Sequence, residues 1–146
     1  MRPQGLNLPS GPPIGPPPQL LIDSSPELVH AARSWARESV IHEVPAVPEE
    51  HVSDVALIVS ELVTNSVRYG TEPGDSLRIV LDACPGRTLI EVHDPCRRTP
   101  KRKPGSDVRA RGRGLIIVEA LAARWGTDER PMGKSVWAEL LWQVAE

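Results

Sequence analysis

Glu61 and Asn65 stand four residues apart in Glu61-Leu62-Val63-Thr64-Asn65, so on a helix they are neighbours on one face. An asparagine carbonyl offers a hard oxygen to a magnesium ion without adding charge. A carboxylate beside it can orient or deprotonate a hydroxyl that attacks a phosphate. The same pair also fits a plain solvated helix face. Asp94 closes the run Glu91-Val92-His93-Asp94-Pro95. Its carboxylate can accept a hydrogen bond from an exocyclic amine such as adenine N6, and it serves equally as a turn-former before Pro95. His93 alternates out of phase with Val92 and reads as an ordinary strand residue. A third element is Gly112-Arg113-Gly114-Leu115-Ile116-Ile117-Val118. Two glycines opening an apolar helix expose backbone amides at its positive end, which makes a phosphate site. They also read as a glycine-punctuated entry into a core helix. The stretch is neither a Walker A loop nor GxGxxG.

These residues need elements to position them. Ser25 as cap, Pro26 at the first helical position and Glu27 near the positive end of the dipole predict a helix start. Leu28, Ala31, Ala32, Trp35 and Ser39 follow at helical spacing, before Pro45 and Pro48 mark a loop. A longer helix is predicted from about Pro48 to Tyr69. Val52, Val55, Ala56, Val59, Leu62, Val63 and Ser66 form its buried stripe, and Gly70 supplies a stop. Glu61 and Asn65 point away from that stripe. Leu57 and Ile58 are expected beside them, making a half-apolar face suited to a covered ligand.

Leu77–Ala83 and Thr88–His93 are β-rich runs separated by Cys84-Pro85-Gly86-Arg87, a hairpin signal. Residues 95–111 form a long polar connection of the kind that is disordered or functional in a small domain. It is basic, with Arg97, Arg98, Lys101, Arg102, Lys103, Arg109 and Arg111 opposed by Asp107 alone. A solvated loop, a phosphate-covering lid and a nucleic-acid patch all fit that charge. Interleaved aromatics for base stacking are missing, so nucleic acid is the remote reading. Gly114 is expected to open a third helix through about Ala123, and strands near Trp125–Asp128 and Lys134–Leu141 complete the order. The expected fold is an α/β (α+β) two-layer sandwich, a mixed, largely antiparallel sheet with helices on one face.

Length and composition bound the rest. The 146 residues suffice for one domain with a hydrophobic core, and a formal charge of −2 gives no general bias toward nucleic acid or anionic membrane. Seven prolines in residues 1–20 predict a disordered Pro-rich tail, leaving 21–146 as the folded domain. Cys84 and Cys96 make no CxxC or zinc spacing and read as free thiols in a reducing cytoplasm. The longest apolar runs are too short to span a bilayer.

Together the motifs resemble the GHKL (Bergerat-fold) ATPase superfamily, and within it the small anti-sigma-factor serine/threonine kinases of the RsbW type. The resemblance runs from about Leu28 to Leu141. Glu61-Leu62-Val63-Thr64-Asn65-Ser66-Val67-Arg68-Tyr69-Gly70 looks like the N box. Gly112–Val118 with Trp125-Gly126 looks like the G2 box and its following strand, and Gly133-Lys134-Ser135-Val136-Trp137 resembles the G3 segment. The resemblance implies Glu61 as the base that activates a protein serine hydroxyl and Asn65 as the Mg2+ ligand. It implies Asp94 as adenine reader, residues 95–111 as ATP lid, and Gly112, Arg113, Gly114 and Leu115 at the phosphates, with Ser135 near the nucleotide. Its partners are a sigma factor and an anti-sigma-factor antagonist, and homodimerisation is compatible with it. The first glycine box departs from the family, since Pro95-Cys96 replaces the glycines after the aspartate and stiffens the lid's entry. That departure motivates an alternative, a non-catalytic ATP-binding regulatory switch. A nucleic-acid-binding module is the distant third.

Overall fold

The computed structural model describes residues 15–72, 74–94, 108–131 and 133–145, the side chains of 108–114 and of Arg130 excepted. Five strands form one sheet: β1 (Gln19–Asp23), β2 (Ser76–Cys84), β3 (Arg87–Asp94), β4 (Arg124–Arg130) and β5 (Gly133–Leu141). Their order is β1-β2-β3-β5-β4, and every neighbouring pair is antiparallel. Helices α1 (Val29–Glu43), α2 (Glu49–Asn65) and α3 (Val108–Leu121) supply the second layer. The expected α/β two-layer fold is therefore present, with a wholly antiparallel sheet among the described strands rather than a mixed one. No helix of the described residues is long and apolar enough to cross a membrane.

Strand alternation builds the interface between the layers. Along β3 the residues Thr88, Ile90, Val92 and Asp94 are buried while their neighbours are only half-buried, the period of a sheet with one covered face. Their partners across β5 are Leu140, Ala138, Val136 and Lys134. Onto this face α2 lays Val52, Val55, Val59, Leu62 and Val63, all fully enclosed. The predicted stripe of α2 is thus the observed one. Trimming a side chain such as Leu62 to alanine costs about 2–5 kcal/mol in cores of this density. Ile58 departs from expectation: it is fully buried in the core and does not line the Glu61 face. The apolar stripe is broad enough to take it in.

The β2–β3 hairpin closes on Pro85-Gly86, with Gly86 at φ +87°. Proline followed by a left-handed glycine is the residue pattern of a type II turn.

Four boundaries differ from the sequence reading. β1 begins at Gln19, within the stretch read as tail, and residues 1–14 lie outside the described residues. This five-residue edge strand carries no alternation long enough to reveal it, and its register against β2 places it. Helix α1 buries Ala32, Ala36 and Val40, one position round from the predicted stripe, while Ala31 is exposed. A 3-10 turn, Pro26–Leu28, precedes it. Ser25 stops that turn through its backbone carbonyl, which accepts from the Leu28 amide, and its hydroxyl bonds Glu27 instead of capping. Finally, α3 starts at Val108, ahead of both glycines. The stretch holds no proline, and its arginines, alanines and leucines are good helix formers. Each glycine costs about 1 kcal/mol there without ending the helix.

Candidate functional site

Helix α2 is the backbone of the site. Its buried stripe fixes its rotation, and the opposite edge then presents Glu61 and Asn65 one turn apart, both half-buried. After Asn65 the helix widens into a π-turn, Ser66–Gly70. Such turns leave backbone carbonyls short of helical partners and recur at functional sites. Here Thr71 answers them: its hydroxyl lies 3.0 Å from the Ser66 carbonyl and 3.4 Å from that of Val67. With its one proton so engaged, Thr71 accepts from the Ser24 hydroxyl, which ties the turn to the end of β1.

Gly70 sets this turn against the end of β3. A Cβ there would collide with Asp94 Oδ2 and stand 3.4 Å from Asp94 Cγ and 3.6 Å from Lys134 Cε. Gly70 ends the helical stretch, as expected, and does so without a left-handed φ. Its smallness lets a carboxylate fit. Asp94 itself is 3 % exposed at the end of β3, on the helix-facing side. One helix end thus gathers Glu61, Asn65 and Gly70, with Asp94 beneath the last.

The other expected residues are placed differently. Ser135 pairs with His93, one step from the Asp94–Lys134 pair, so strand alternation puts it on the opposite face of the sheet. Its hydroxyl is buried without a hydrogen-bond partner among the described residues, and it does not join Asp94. Lys134 takes the place across from Asp94. Sequence reasoning missed Lys134 because only one of two adjacent strand residues can face Asp94, and the register that decides is not written in the motif.

Gly112 and Gly114 lie inside α3, where amides are engaged along the helix; the free amides are those of its first turn, upstream. The expectation of glycines opening the helix is corrected accordingly. Leu115 is half-buried, Val118 reaches the core and Ile116 is 62 % exposed. The side chains of Arg109, Arg111 and Arg113 lie outside the described residues, as do the whole basic stretch Arg97–Lys103, Pro95 and Cys96. Cys84 is a free thiol, half-buried. His93 stands 3.2 Å from Glu91 on the helix-free face, away from the site.

Residues 22–140 match the model of the histidine kinase-like ATPase domain family. The chain belongs to that family. As an ATPase domain of this kind it has ATP as its implied ligand, and the match spans all three helices and all but the ends of the sheet. Among solved structures, the RsbU and RsbW domains of Rv1364c from Mycobacterium tuberculosis resemble this ATPase domain with a TM-score of 0.58 at 18 % identity. That match covers 85 % of this chain and 32 % of the other, so the ATPase domain spans about a third of that chain's length. At such identity the likeness is one of fold. A comparison with curated proteins finds no match.

Proposed function

We propose that this ATPase domain is an anti-sigma-factor-type serine/threonine protein kinase. In this reading it phosphorylates an anti-sigma-factor antagonist in the cytoplasm and regulates transcription through a sigma factor. The observation that carries the reading is the buried Asp94 admitted by Gly70 at the end of the helix that bears Glu61 and Asn65. In this reading the base reader lies on β3 beneath Gly70, and the metal ligand and the proton acceptor follow on the last turns of α2, the order a nucleoside triphosphate needs.

In this reading Asp94 accepts a hydrogen bond from the base. The phosphates run toward the stretch Gly112, Arg113, Gly114 and Leu115, on the helix that packs beside α2. Asn65 offers its neutral carbonyl oxygen to Mg2+, with the Glu61 carboxylate one turn away, a donor set suited to that ion. Mg2+, when bound, neutralises charge on the transferred phosphoryl group. Glu61 takes the proton of the partner's serine hydroxyl. The serine oxygen then bonds the γ-phosphorus, the bond to the β–γ bridging oxygen breaks, and ADP leaves. Positioning and electrostatics carry most of such a transfer, so a small residue set suffices.

The test is calorimetric titration of Mg-ATP into the wild-type chain, Asn65→Ala and Asp94→Ala, followed by transfer of labelled γ-phosphate to antagonist proteins with Glu61→Ala as control. Saturable binding weakened by both substitutions, with transfer abolished by Glu61→Ala, supports the kinase. Transfer that survives Glu61→Ala removes Glu61 as the base. The replacement of glycines by Pro95-Cys96 favours a second reading, a non-catalytic switch whose nucleotide state gates partner binding. It expects binding without transfer to any antagonist.

A further inference from the structure

Thr71 directly follows Gly70, and its hydroxyl is held from two sides. On one side it lies 3.0 Å from the Ser66 carbonyl and 3.4 Å from that of Val67, the first two residues of the π-turn. On the other it accepts from Ser24, the residue after β1. Ser24 is itself fixed, since its amide donates to the Asp75 carbonyl at 2.7 Å and Asp23 before it pairs with Ser76. The loop between Thr71 and β2 is closed on itself. The Glu72 amide donates to Asp75 Oδ2 at 2.9 Å, and the Asp75 amide to the Glu72 carbonyl at 3.0 Å. One hydroxyl thus spans the turn from just beyond its last residue to its first, and fastens it to the sheet.

A π-turn holds one residue more than an α-helical turn and is rare. Wound as a regular α-helix, the same residues would carry Gly70 round the axis by close to one residue's angle, about 100°. Gly70 would then leave Asp94, whose Oδ2 and Cγ stand against the place a Cβ on residue 70 would take. Glu61 and Asn65 lie ahead of the turn on regular helix, so the same change would leave them where they are.

We propose that Thr71 is a positioning residue for the base subsite, its hydroxyl holding the π-turn that keeps Gly70 seated on Asp94. The inference rests on the reading of Asp94 as the acceptor for the adenine amine. Removing the hydroxyl should cost the site its discrimination at the base and spare what Asn65 and Glu61 contribute. A hydrogen bond to a charged group accounts for roughly tenfold or more in affinity, which sets the size of the effect.

The experiment is calorimetry of the full chain with Mg-ATP and with the Mg2+ complex of purine riboside triphosphate, which lacks the exocyclic amine. The wild type should prefer ATP by about tenfold or more. Thr71→Val keeps the branched shape and suits the extended backbone at this position. It should bring the preference within about twofold, with purine riboside triphosphate bound as by the wild type. Thr71→Ser returns a hydroxyl and should return the preference. A Thr71→Val protein that keeps the wild-type preference, or that weakens both nucleotides alike, overturns the inference and leaves the nucleotide site standing. Where Thr71→Val does not fold, Ser24→Ala decides, since it removes the hydroxyl's anchor on β1. A preference reduced by about threefold or more then supports the inference, and an unchanged one overturns it. A wild type that binds both nucleotides equally removes Asp94 as base reader and the inference with it. One that binds neither removes the nucleotide reading as a whole.

Discussion

Two carboxylates are buried in the same sheet on opposite faces, and they are held in opposite ways. Glu139, 6 % exposed, lies between two arginines on the helix-free side. Arg87 Nε donates to its Oε2 at 2.5 Å, and Arg124 donates to Oε1 at 3.0 Å and to Oε2 at 3.3 Å. The three side chains come from β3, β4 and β5, so the cluster stitches three strands across their width. Asp94, 3 % exposed, sits at a strand end beneath a π-turn, in a space that exists because residue 70 has no side chain. Glu139 is an acid enclosed by its own fold's cations. Asp94 is an acid enclosed by an irregular piece of helix, with Lys134 across the strand pair, at the end of the helix that carries half-buried Glu61 and Asn65. In the proposed function the difference separates a carboxylate used for architecture from one that meets a ligand's polar edge.

The largest effect on stability is expected at the architectural acid. Glu139→Ala removes the carboxylate that Arg87 and Arg124 share, and removing one partner of an enclosed ion pair costs about 3 kcal/mol. Arg124 is 69 % exposed, which sets the expected loss nearer the bottom of the usual range than the top. Denaturant unfolding measures the loss, and calorimetry with Mg-ATP should show affinity within about twofold of wild type. A fall in affinity equal to that of a site variant would erase the division between the faces. The arginines hold the Glu139 carboxyl below its ordinary range, Arg124 foremost and then Arg87. Its contribution to stability is therefore complete above the ordinary carboxylate value and lost as the pH falls through the depressed one.

Gly70→Ala tests the other side. In a helix interior this exchange favours the helix by about 1 kcal/mol. Here the added methyl would meet Asp94 Oδ2, and overpacking of that kind costs about 1–3 kcal/mol. The net expectation is a destabilised protein, read by denaturant midpoint, with Mg-ATP affinity reduced by about tenfold or more as Asp94 is displaced. An alanine that raises the midpoint would mean that the turn and Asp94 are not mutually fitted.

How far the sequence disclosed this arrangement follows from what each feature depends on. The α2 stripe was legible because seven residues at helical spacing are all buried, and the β2–β3 hairpin because Pro85-Gly86 permits few turns. Glu61 and Asn65 came with the helix. Four features escaped. The role of Gly70 lies in a long-range approach to Asp94 that no local pattern encodes. The exchange of Ser135 for Lys134 beside Asp94 turns on a one-residue register, and a single step moves a side chain to the other face. β1 and the early start of α3 hinge on pairing and packing that override weak local preference.

Burial of a histidine gives a smaller, pH-dependent prediction. His51 lies at the start of α2, its Nε2 2.7 Å from the Thr88 hydroxyl and its ring 5.9 Å from that of Trp142. Loss of solvent pushes its pKa below the ordinary 6.5. Below 6.5 the unfolded chain binds a proton that the folded one refuses, so stability declines as the pH falls toward the depressed value and levels off beneath it. Denaturant midpoints at pH 7.5, 6.5 and 5.5 should show that decline, and His51→Gln, which keeps a hydrogen-bonding group toward Thr88, should remove it. An identical decline in the variant assigns the effect to other groups.

The smallest stability effect is expected from the acid that the proposed function places at the base. Asp94→Asn keeps the shape that Gly70 admits and removes the charge. Asparagine keeps an oxygen at that place for hydrogen bonds, and removing a buried charge offsets part of what is lost with its interactions. The unfolding free energy should therefore change by less than about 1 kcal/mol. Over the same substitution Mg-ATP affinity should fall about tenfold, because an amide turned to present its oxygen accepts less strongly than a carboxylate. A large stability loss with unchanged affinity would make Asp94 a second Glu139, a structural acid that happens to lie under the helices. The two faces of the sheet would then differ in which cations hold their carboxylates and in nothing functional.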